Sequence, residues 1–428
     1  MIGFIMFLVC LALLALGFPV AFTFGGVALI FGLYAEGLHL FQLVAERMFA
    51  IMTNVTLMAV PLFIFMGLVL ERSGIAEKML ESMGSLFGRV RGGLAVSTVL
   101  VGMVLAASTG VVGASVVAMG LIALPVMLKY NYDKRFASGV ICASGTLGQI
   151  IPPSVILIIL GDVLQQPVGD LYRAALIPGL LLVVIYIIYS LALAFFKKDA
   201  APAMPRSDAP LAVQYWAAFK AIVPALTLVV IVLGTVFAGI ATPTESAAMG
   251  AVGAVVLAMV SGKFRFTMLH QAALETAKIS AMVFTILAGA TFFSMVFTYT
   301  GGDVAVEQIM QHLPGGKWGF IFLTMLVIFL LGFFIDFVEI AYIFVPMIAP
   351  ILVKLGIDPL WFGILIAVNL QTSFLTPPFG FALFYLRGVA PPSITTLDIY
   401  RGVVPFILLQ LLALMLVIAF PGMIYLLH

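Results

Sequence analysis

The sequence contains little charge. Asp, Glu, Lys and Arg make up 9% of its 428 residues, whereas about 25% of a soluble globular domain is charged. Hydrophobic residues make up 64% of the chain, and the mean hydropathy is +1.26. This balance excludes a soluble globule and predicts a polytopic protein in a lipid bilayer. The formal net charge of +2 points to no partner, and no nucleic acid is expected.

Residues that enzymes and metal sites depend on are scarce. Cys10 and Cys142 lie far apart in apolar runs, which argues against a disulfide framework or a metal-binding pair. The histidines fall in loops, interfaces or the terminus and offer no proton relay: His39, His270, His312 and His428. A G-x-x-x-x-G-K-[ST] nucleotide loop is missing, so the chain is not expected to hydrolyse ATP. An intramembrane hydrolase needs a second mid-membrane Asp, a Ser-His pair or a metal cluster, so no enzyme activity is expected.

Two polar segments interrupt the apolar runs. They are CASGTLGQIIPP (142–153) and AVNLQTSFLTPP (367–378). Each ends in Pro-Pro, and a helix cannot continue through it because proline lacks an N–H donor and crowds the preceding turn. In a bilayer, unwound backbone persists only where protein or a polar cavity satisfies it. Matching interruptions in two chain halves indicate the binding site of a transporter.

The two halves are related by a constant offset. Adding 225 to Pro125, Lys129 and Asp133 gives Pro350, Lys354 and Asp358, and the same offset relates the Pro-Pro pairs. The sequence therefore predicts two repeats, 1–200 and 219–428, joined by a cytoplasmic linker, 201–218. Residues 2–16 lack a basic n-region and an A-x-A-like cleavage site, so they are predicted to be a retained span.

Charge placement predicts how the repeats cross the membrane. Lys and Arg favour cytoplasmic loops. With five membrane spans in each repeat, most Lys and Arg residues fall in loops on the cytoplasmic side. The exceptions are Arg47, Arg173, Lys317 and Lys354. Because five is an odd number of spans, the second repeat starts on the opposite side of the membrane and is inverted relative to the first. The apolar run 94–128 has basic residues at both ends, which predicts a re-entrant hairpin with its tip at 108–110.

Other elements follow in order. A second hairpin is predicted over 320–353, with its tip at 335–339, and broken spans over 136–160 and 360–386. Residues 71–93 are predicted to form an amphipathic interfacial helix, with a plain loop as the alternative. The remaining predicted spans are 2–16, 20–34, 49–70, 174–196, 221–237, 243–260, 279–297 and 403–427, with an outer segment at 162–173 and an inner one at 263–278. The predicted fold class is thus an all-α polytopic membrane protein with two inverted repeats.

Acidic residues inside apolar runs are candidates for cation binding. Asp336 falls at the second hairpin tip, with Glu339 three residues further on. A carboxylate at that depth is costly and normally faces a cavity or a cation; a structural hydrogen bond or ion pair, or a proton relay, is the alternative for Asp336. Glu245, in the segment Thr-Pro-Thr-Glu, is a second candidate, and a role at a helix N-terminus explains it equally well.

Neutral oxygens cluster at the tips and breaks. Ser108, Thr109 and Gly110 lie at the first tip, and residues 145–148 (GTLG) lie at the first break. Hydroxyl and carbonyl oxygens without charge suit a small monovalent cation. Residues 369–376 provide a similar set near Asp336. The alternative is that small residues only allow close helix packing. Helix N-termini that point into the same cavity would favour an anionic substrate.

These segments together carry a family resemblance. The TPTE segment at 242–245, the hairpin tips and the paired SGTLGQIIPPS and QTSFLTPPFG breaks resemble the large membrane subunit (M, DctM-like) of tripartite ATP-independent periplasmic (TRAP) transporters. The resemblance implies an elevator-type, sodium-driven importer of an organic acid, such as a dicarboxylate or sialic acid, in the bacterial inner membrane. It also implies a periplasmic substrate-binding protein and a small four-helix membrane subunit. The small subunit is expected to be separate, because the chain begins directly with the large subunit's first span.

The resemblance further implies two Na⁺ sites, one between each tip and its break. Sodium ligands are expected among Ser108, Thr109, Gly110, Gly145, Gly148, Ile151, Pro152, Asp336, Gln371, Thr372 and Thr376. Contacts with the organic anion are expected from Ser115, Thr146, Ser154, Glu245 and Ser373. The hairpins and broken spans are expected to move as a block against a scaffold of the other spans. A sodium/proton exchanger or an ion channel with broken helices is the alternative function.

Overall fold

The structure, a computed structural model, describes residues 2–204, 210–311 and 313–427. Within these ranges helices and short connections build the chain, and no strand occurs. The all-helical polytopic fold class predicted from the sequence is confirmed. His312, His428 and the middle of the predicted linker lie outside the described residues.

The first repeat consists of helices, two of them separated by an unwound segment. They are α1 (Ile2–Ala15), α2 (Val20–Glu36), α3 (Gln42–Met52), α4 (Ala59–Arg72), α5 (Ile75–Phe87), α6 (Gly93–Thr109), α7 (Val112–Lys129), α8 (Lys134–Thr146), α9 (Val155–Val163) and α10 (Val168–Phe196). The pair α6 and α7 forms the first hairpin, and α8 and α9 flank the first break.

The second repeat follows the same order. Its helices are α11 (Leu211–Phe237), α12 (Pro243–Val260), α13 (Phe266–Tyr299), α14 (Gly302–Gln311), α15 (Gly316–Leu331), α16 (Phe337–Glu339), α17 (Val345–Lys354), α18 (Pro359–Leu375), α19 (Phe381–Val389) and α20 (Thr396–Ala419). A π-helical turn, Ile340–Phe344, joins α16 to α17. Helices α15 to α17 form the second hairpin, and α18 and α19 flank the second break.

By length and composition, seven described helices can cross a membrane, and the bent α3–α4 pair can make an eighth. The repeat boundaries and the assignment of each loop to a side of the membrane stay predictions.

The predicted span 49–70 is not one straight helix. Gln42–Met52 and Thr56–Arg72 are bent by 55°. The bend has a local cause: the Thr53 hydroxyl donates to the Phe49 carbonyl at 2.9 Å, and Asn54 Oδ1 accepts from the Thr56 N–H at 3.0 Å. Such side-chain bonds to the backbone compete with the helical ladder.

Three helices begin before the spans predicted for them. The inner segment 263–278 and the span 279–297 form one helix, α13, because no Gly or Pro occurs between 266 and 278 to end it. Helix α10 begins at Val168 after Pro167, inside the segment predicted to lie outside. Helix α11 begins at Leu211 after Pro210, inside the predicted linker. Proline at a helix start suits its missing N–H and fixed φ.

The segment 71–93 contains the helix predicted there, and the plain-loop alternative is wrong. Helix α5 buries Ile75, Met79 and Met83, a spacing that places them on one face. That face packs against α6 and α11.

The helices pack as two bodies, and the membership differs from the predicted block. The first, the scaffold body, contains α2, α4, α5, α11, α12 and α13, which pack with one another, and α3, which packs on α13. Helix α20 packs along α8 and α18, and α10 packs on α6 and α20. A Cβ at Gly139 of α8 would lie 2.1 Å from the Gly402 carbonyl oxygen of α20. The final helix of each repeat therefore packs with the hairpins and broken spans, and these elements together form the second, the hairpin body. Sequence periodicity alone does not indicate this packing.

Candidate functional site

The two breaks meet at one point in the core. Gln371 Nε2 donates to Thr146 Oγ1 at 3.3 Å, and these residues are 225 positions apart, which is the repeat offset. Equivalent residues touch each other only near the axis that relates the repeats, and in an inverted repeat this axis lies in the membrane plane. Gln410 Nε2 also donates to Thr146 Oγ1 at 3.3 Å, and all three side chains are buried.

Thr146→Val tests this junction. The substitution removes the acceptor of two buried amides, and each unsatisfied donor costs roughly 1–3 kcal/mol. We expect a clearly lower melting temperature in detergent. Thr324→Val is the matched control, because Thr324 is equally buried but donates only to carbonyls of its own helix, Phe320 at 2.7 Å and Ile321 at 3.1 Å. Equal melting temperatures for the two variants would show that the junction contributes nothing.

The first tip is a compact turn of small residues. Gly110 adopts a φ of 62°, and its N–H bonds to the Ala106 carbonyl at 2.9 Å. Thr109 Oγ1 and Ser115 Oγ lie 2.7 Å apart, so the structure joins a predicted sodium ligand to a predicted substrate contact. The Ser108 hydroxyl donates to the Leu105 carbonyl at 2.8 Å. Such a hydroxyl keeps its lone pairs available to a cation.

The first break packs directly on this tip. After Gln149 the helix unwinds until Val155, and the Pro152-Pro153 peptide bond is cis. A Cβ at Gly148 would lie 2.8 Å from the Ala106 carbonyl oxygen, and one at Gly110 would lie 3.0 Å from the Val155 side chain. Glycine therefore allows backbone to approach backbone, as the proposed first sodium site requires.

Side chains within the first break are fully enclosed. The Ser154 hydroxyl donates to the Gln149 carbonyl at 2.8 Å. Gln149 is 1% exposed, and neither of its amide atoms has a partner among the described residues. Gln149 and Gln410 are not among the site residues predicted from the sequence, although an amide within an apolar run is a signal for both.

The second tip carries two carboxylates. Asp336 caps α16 by accepting the Phe337 N–H at 2.7 Å, and Glu339 Oε2 accepts the Asp336 N–H at 2.7 Å. The structural hydrogen bond that was the alternative role for Asp336 is therefore present. Neither acid forms a salt bridge with a residue in the described ranges. Two neighbouring acids with no basic partner in the described ranges remain candidates for cation binding.

The second break lies against this hairpin. A Cβ at Gly332 would lie 2.1 Å from Ser373 Oγ. The Thr376 hydroxyl donates to the Thr372 carbonyl at 2.7 Å, and Thr372 and Ser373 likewise donate within their helix. The Pro377-Pro378 peptide bond is cis, as in the first break. Pro378 is exposed here, whereas the first break is buried throughout.

Glu245 lies elsewhere. Its carboxylate accepts the Thr242 N–H at 2.7 Å and closes a capping box at the start of α12. Its side chain is exposed and belongs to the scaffold body. Thr244 donates to the Val55 carbonyl at 2.8 Å, which ties this helix start to the α3–α4 bend. The structure therefore does not bring Glu245 to either tip, and its substrate role stays a prediction.

A polar cavity lies between the two bodies. Its volume is about 450 Å³, and Arg47, Asn54, Asp162 and Tyr342 are among the residues that line it. Asn54 of the scaffold donates to Asp162 Oδ1 of α9 at 2.7 Å across the cavity wall. No sequence pattern predicts this contact.

The architecture and the paired breaks correspond to a known family. A family model described as "Tripartite ATP-independent periplasmic transporter, DctM component" matches residues 7–423. The chain belongs to the DctM family. This confirms the resemblance drawn from the TPTE segment, the tips and the breaks.

Relatives of this DctM protein match over most of their length. The C4-dicarboxylate TRAP transporter large permease protein DctM of Pseudomonas aeruginosa is 33% identical over 381 residues, 88% of this chain and 87% of that protein. The protein of the same name from Rhodobacter capsulatus is 32% identical over 437 residues, 99% of this chain and 98% of that protein. The isethionate TRAP transporter permease protein DctMQ of Oleidesulfovibrio alaskensis is 31% identical, over 96% of this chain and 64% of that protein.

A solved structure shares the fold. The Alcanivorax borkumensis YdaH transporter, described as having an unusual topology, matches this DctM protein with a TM-score of 0.63 at 18% identity, over 91% of this chain and 90% of that one. The DctM protein is a multi-pass protein of the bacterial inner membrane and a TRAP transporter large permease. Permeases of this family are not enzymes, and they work with a substrate-binding protein and usually a small membrane subunit.

Proposed function

We propose that this DctM protein imports an organic anion by sodium symport, using an elevator movement of the hairpin body against the scaffold. The observation that carries the proposal is the junction of the two breaks through Thr146 and Gln371. It supports a single binding region near the membrane midplane, with a hairpin tip on either side.

Sodium coupling is supported by the ligands at each tip. The first tip and break offer hydroxyl and carbonyl oxygens in a buried setting, and the second adds the Asp336 carboxylate. A bound cation offsets the free-energy cost of burying the Asp336 carboxylate, so Na⁺ occupancy would order the second tip. We assign one Na⁺ to each tip and break.

An organic anion is supported by two features. Sodium ions at both tips would create local positive charge, and helix starts at Val155 and Phe381 lie directly after the two breaks, where N–H groups attract anions. Relatives are named for C4-dicarboxylates, sialic acid and 2,3-diketo-L-gulonate, which are acids. We propose a dicarboxylate, sialic acid or a similar acid as the substrate of this chain.

The elevator movement is supported by the way the two bodies pack. The first tip meets the scaffold at Gly67, and α9 meets it through Asn54 and Asp162. The cavity between the bodies gives a route from the predicted outer face, where a periplasmic binding protein would deliver the anion. A separate small membrane subunit is proposed to stabilise the scaffold.

Reconstitution tests the proposal. The permease and its small subunit in liposomes, supplied with a candidate binding protein and a radiolabelled organic acid, are expected to accumulate the acid only under an inward sodium gradient. Replacing sodium by choline or omitting the binding protein should each abolish accumulation. Uptake that needs no binding protein, or sodium/proton exchange without solute, would favour the exchanger or channel alternative.

A further inference from the structure

A basic pocket lies where the ends of α8, α10 and α20 meet, on the face that the charge pattern assigns to the cytoplasm. A cavity of about 210 Å³ is lined by Arg135, Lys197 and Arg401, together with Asp133 and apolar side chains. A second cavity of about 540 Å³ shares Asp133 and Lys197 with it and adds Lys198 and Asp199. Neither belongs to the proposed transport site.

Asp133, which lines the smaller cavity, and Asp398, which pairs with Arg135 beside it, already bind other groups. Asp133 Oδ1 accepts the N–H groups of Arg135 at 2.9 Å and Phe136 at 3.0 Å, because it caps α8. Asp398 caps α20 by accepting from Thr395, and its other oxygen lies 3.5 Å from Arg135 Nε.

Two cations in the same pocket remain without an acidic partner. Lys197 and Arg401 form no salt bridge with any residue that the structure describes. Across the two cavities, two acids, Asp133 and Asp199, line the same space as four basic residues: Arg135, Lys197, Lys198 and Arg401. The pocket therefore keeps an excess of positive charge, which suits an anion.

One side of the pocket continues into an apolar surface. Phe195 and Phe196 at the end of α10 are 74% and 81% exposed, and Leu397 and Val404 of α20 are 54% and 47% exposed. Large apolar side chains exposed on membrane helices face lipid tails. A cationic pocket that opens on such a surface at the cytoplasmic edge has the chemistry of a lipid headgroup site.

We propose that this pocket binds an anionic phospholipid. The phosphodiester lies between Lys197 and Arg401, with Arg135 at its edge, and the acyl chains run along the exposed faces of α10 and α20. Soluble phosphate would use the cations but not the aromatic and aliphatic flank. Since α8, α10 and α20 all belong to the hairpin body, the bound lipid would hold that body at the inner leaflet. The proposal does not depend on which solute is carried.

The test compares lipids on the purified permease complex. Phosphatidylglycerol added in mixed micelles is expected to raise the melting temperature of the wild type more than phosphatidylcholine does. The double variant Lys197→Gln/Arg401→Gln should bind phosphatidylglycerol about 25-fold more weakly, because each basic residue near an anionic headgroup contributes about a fivefold effect. Lys263→Gln/Arg265→Gln is the matched control, with the same charge change in the loop before α13 on the same predicted face.

Three results would overturn the proposal. The first is equal stabilisation by the two lipids. The second is equal loss of phosphatidylglycerol binding in both double variants, which would indicate only general surface charge. The third is full protection by inorganic phosphate without lipid, which would make the pocket a site for a soluble anion. Because all four mutated side chains are exposed, each variant is expected to fold.

Discussion

Asp336→Asn is expected to abolish sodium stimulation of organic-acid uptake. Asparagine removes the charge but keeps an oxygen that can accept the Phe337 N–H, because Asn and Asp are similarly good N-caps. The variant therefore separates the cation-binding role from the structural hydrogen bond seen at 2.7 Å. A unit charge 4 Å from a cation contributes about 4 kcal/mol at an effective dielectric constant of 20, which corresponds to about a thousandfold in sodium affinity.

The measurement is the initial uptake rate as a function of sodium concentration in proteoliposomes. Asp358→Asn is the matched control, because Asp358 also caps a helix, with its side chain accepting the Leu360 N–H at 2.9 Å. The control should keep the sodium dependence of the wild type. If Asp336→Asn also keeps it, the carboxylate is a helix cap only, and the second sodium site must be withdrawn.

Gly67→Ala is expected to impair transport strongly while leaving the protein in the membrane. A Cβ at Gly67 would lie 2.3 Å from the Thr109 Cα and 2.6 Å from the Ser108 carbonyl oxygen. Both atoms are backbone and cannot rotate away, so either α4 or the first tip must shift. Overpacking of this kind costs about 1–3 kcal/mol, which lowers the population of this packed conformation by about one to two orders of magnitude.

Uptake rate and membrane abundance, measured on the same preparation, check this prediction. Gly234→Ala provides the control, because Gly234 is also inside a helix, α11, and a Cβ there meets no atom within 4 Å. Both variants gain helix propensity, so only the contact with the tip distinguishes them. Normal uptake by Gly67→Ala would show that the tip does not need to approach α4 this closely.

Local chemistry made the breaks and tips predictable from sequence. The first hairpin is predicted over 94–128, and its helices span 93–129. The polar Ala-Ala-Ser-Thr-Gly segment marks the end of one helix, and the basic residues after Leu128 mark the end of the apolar run. Pro-Pro likewise fixed both breaks, since proline acts on its own neighbourhood.

Features that depend on tertiary contacts were not predicted. The membership of α20 in the hairpin body follows from its close packing on α8 at Gly139 and Gly402, and that of α10 follows from its packing on α6 and α20. Hydropathy does not encode either contact. The contribution of Gln410 to the junction likewise requires α20 to lie beside Thr146. The bend after Met52 is a local exception: it depends on short-range bonds of Thr53 and Asn54, but the apolar content of the run favours one continuous span.

Equilibrium binding of radiolabelled sodium to the purified permease complex tests the central claim most directly. The claim is that each repeat holds its own ion between a hairpin tip and an unwound segment. It predicts saturable binding of two ions per chain, with one lost in Asp336→Asn and the other lost in Thr109→Val, which removes the hydroxyl that contacts Ser115. Binding that does not saturate, or full wild-type binding in both variants, would contradict it.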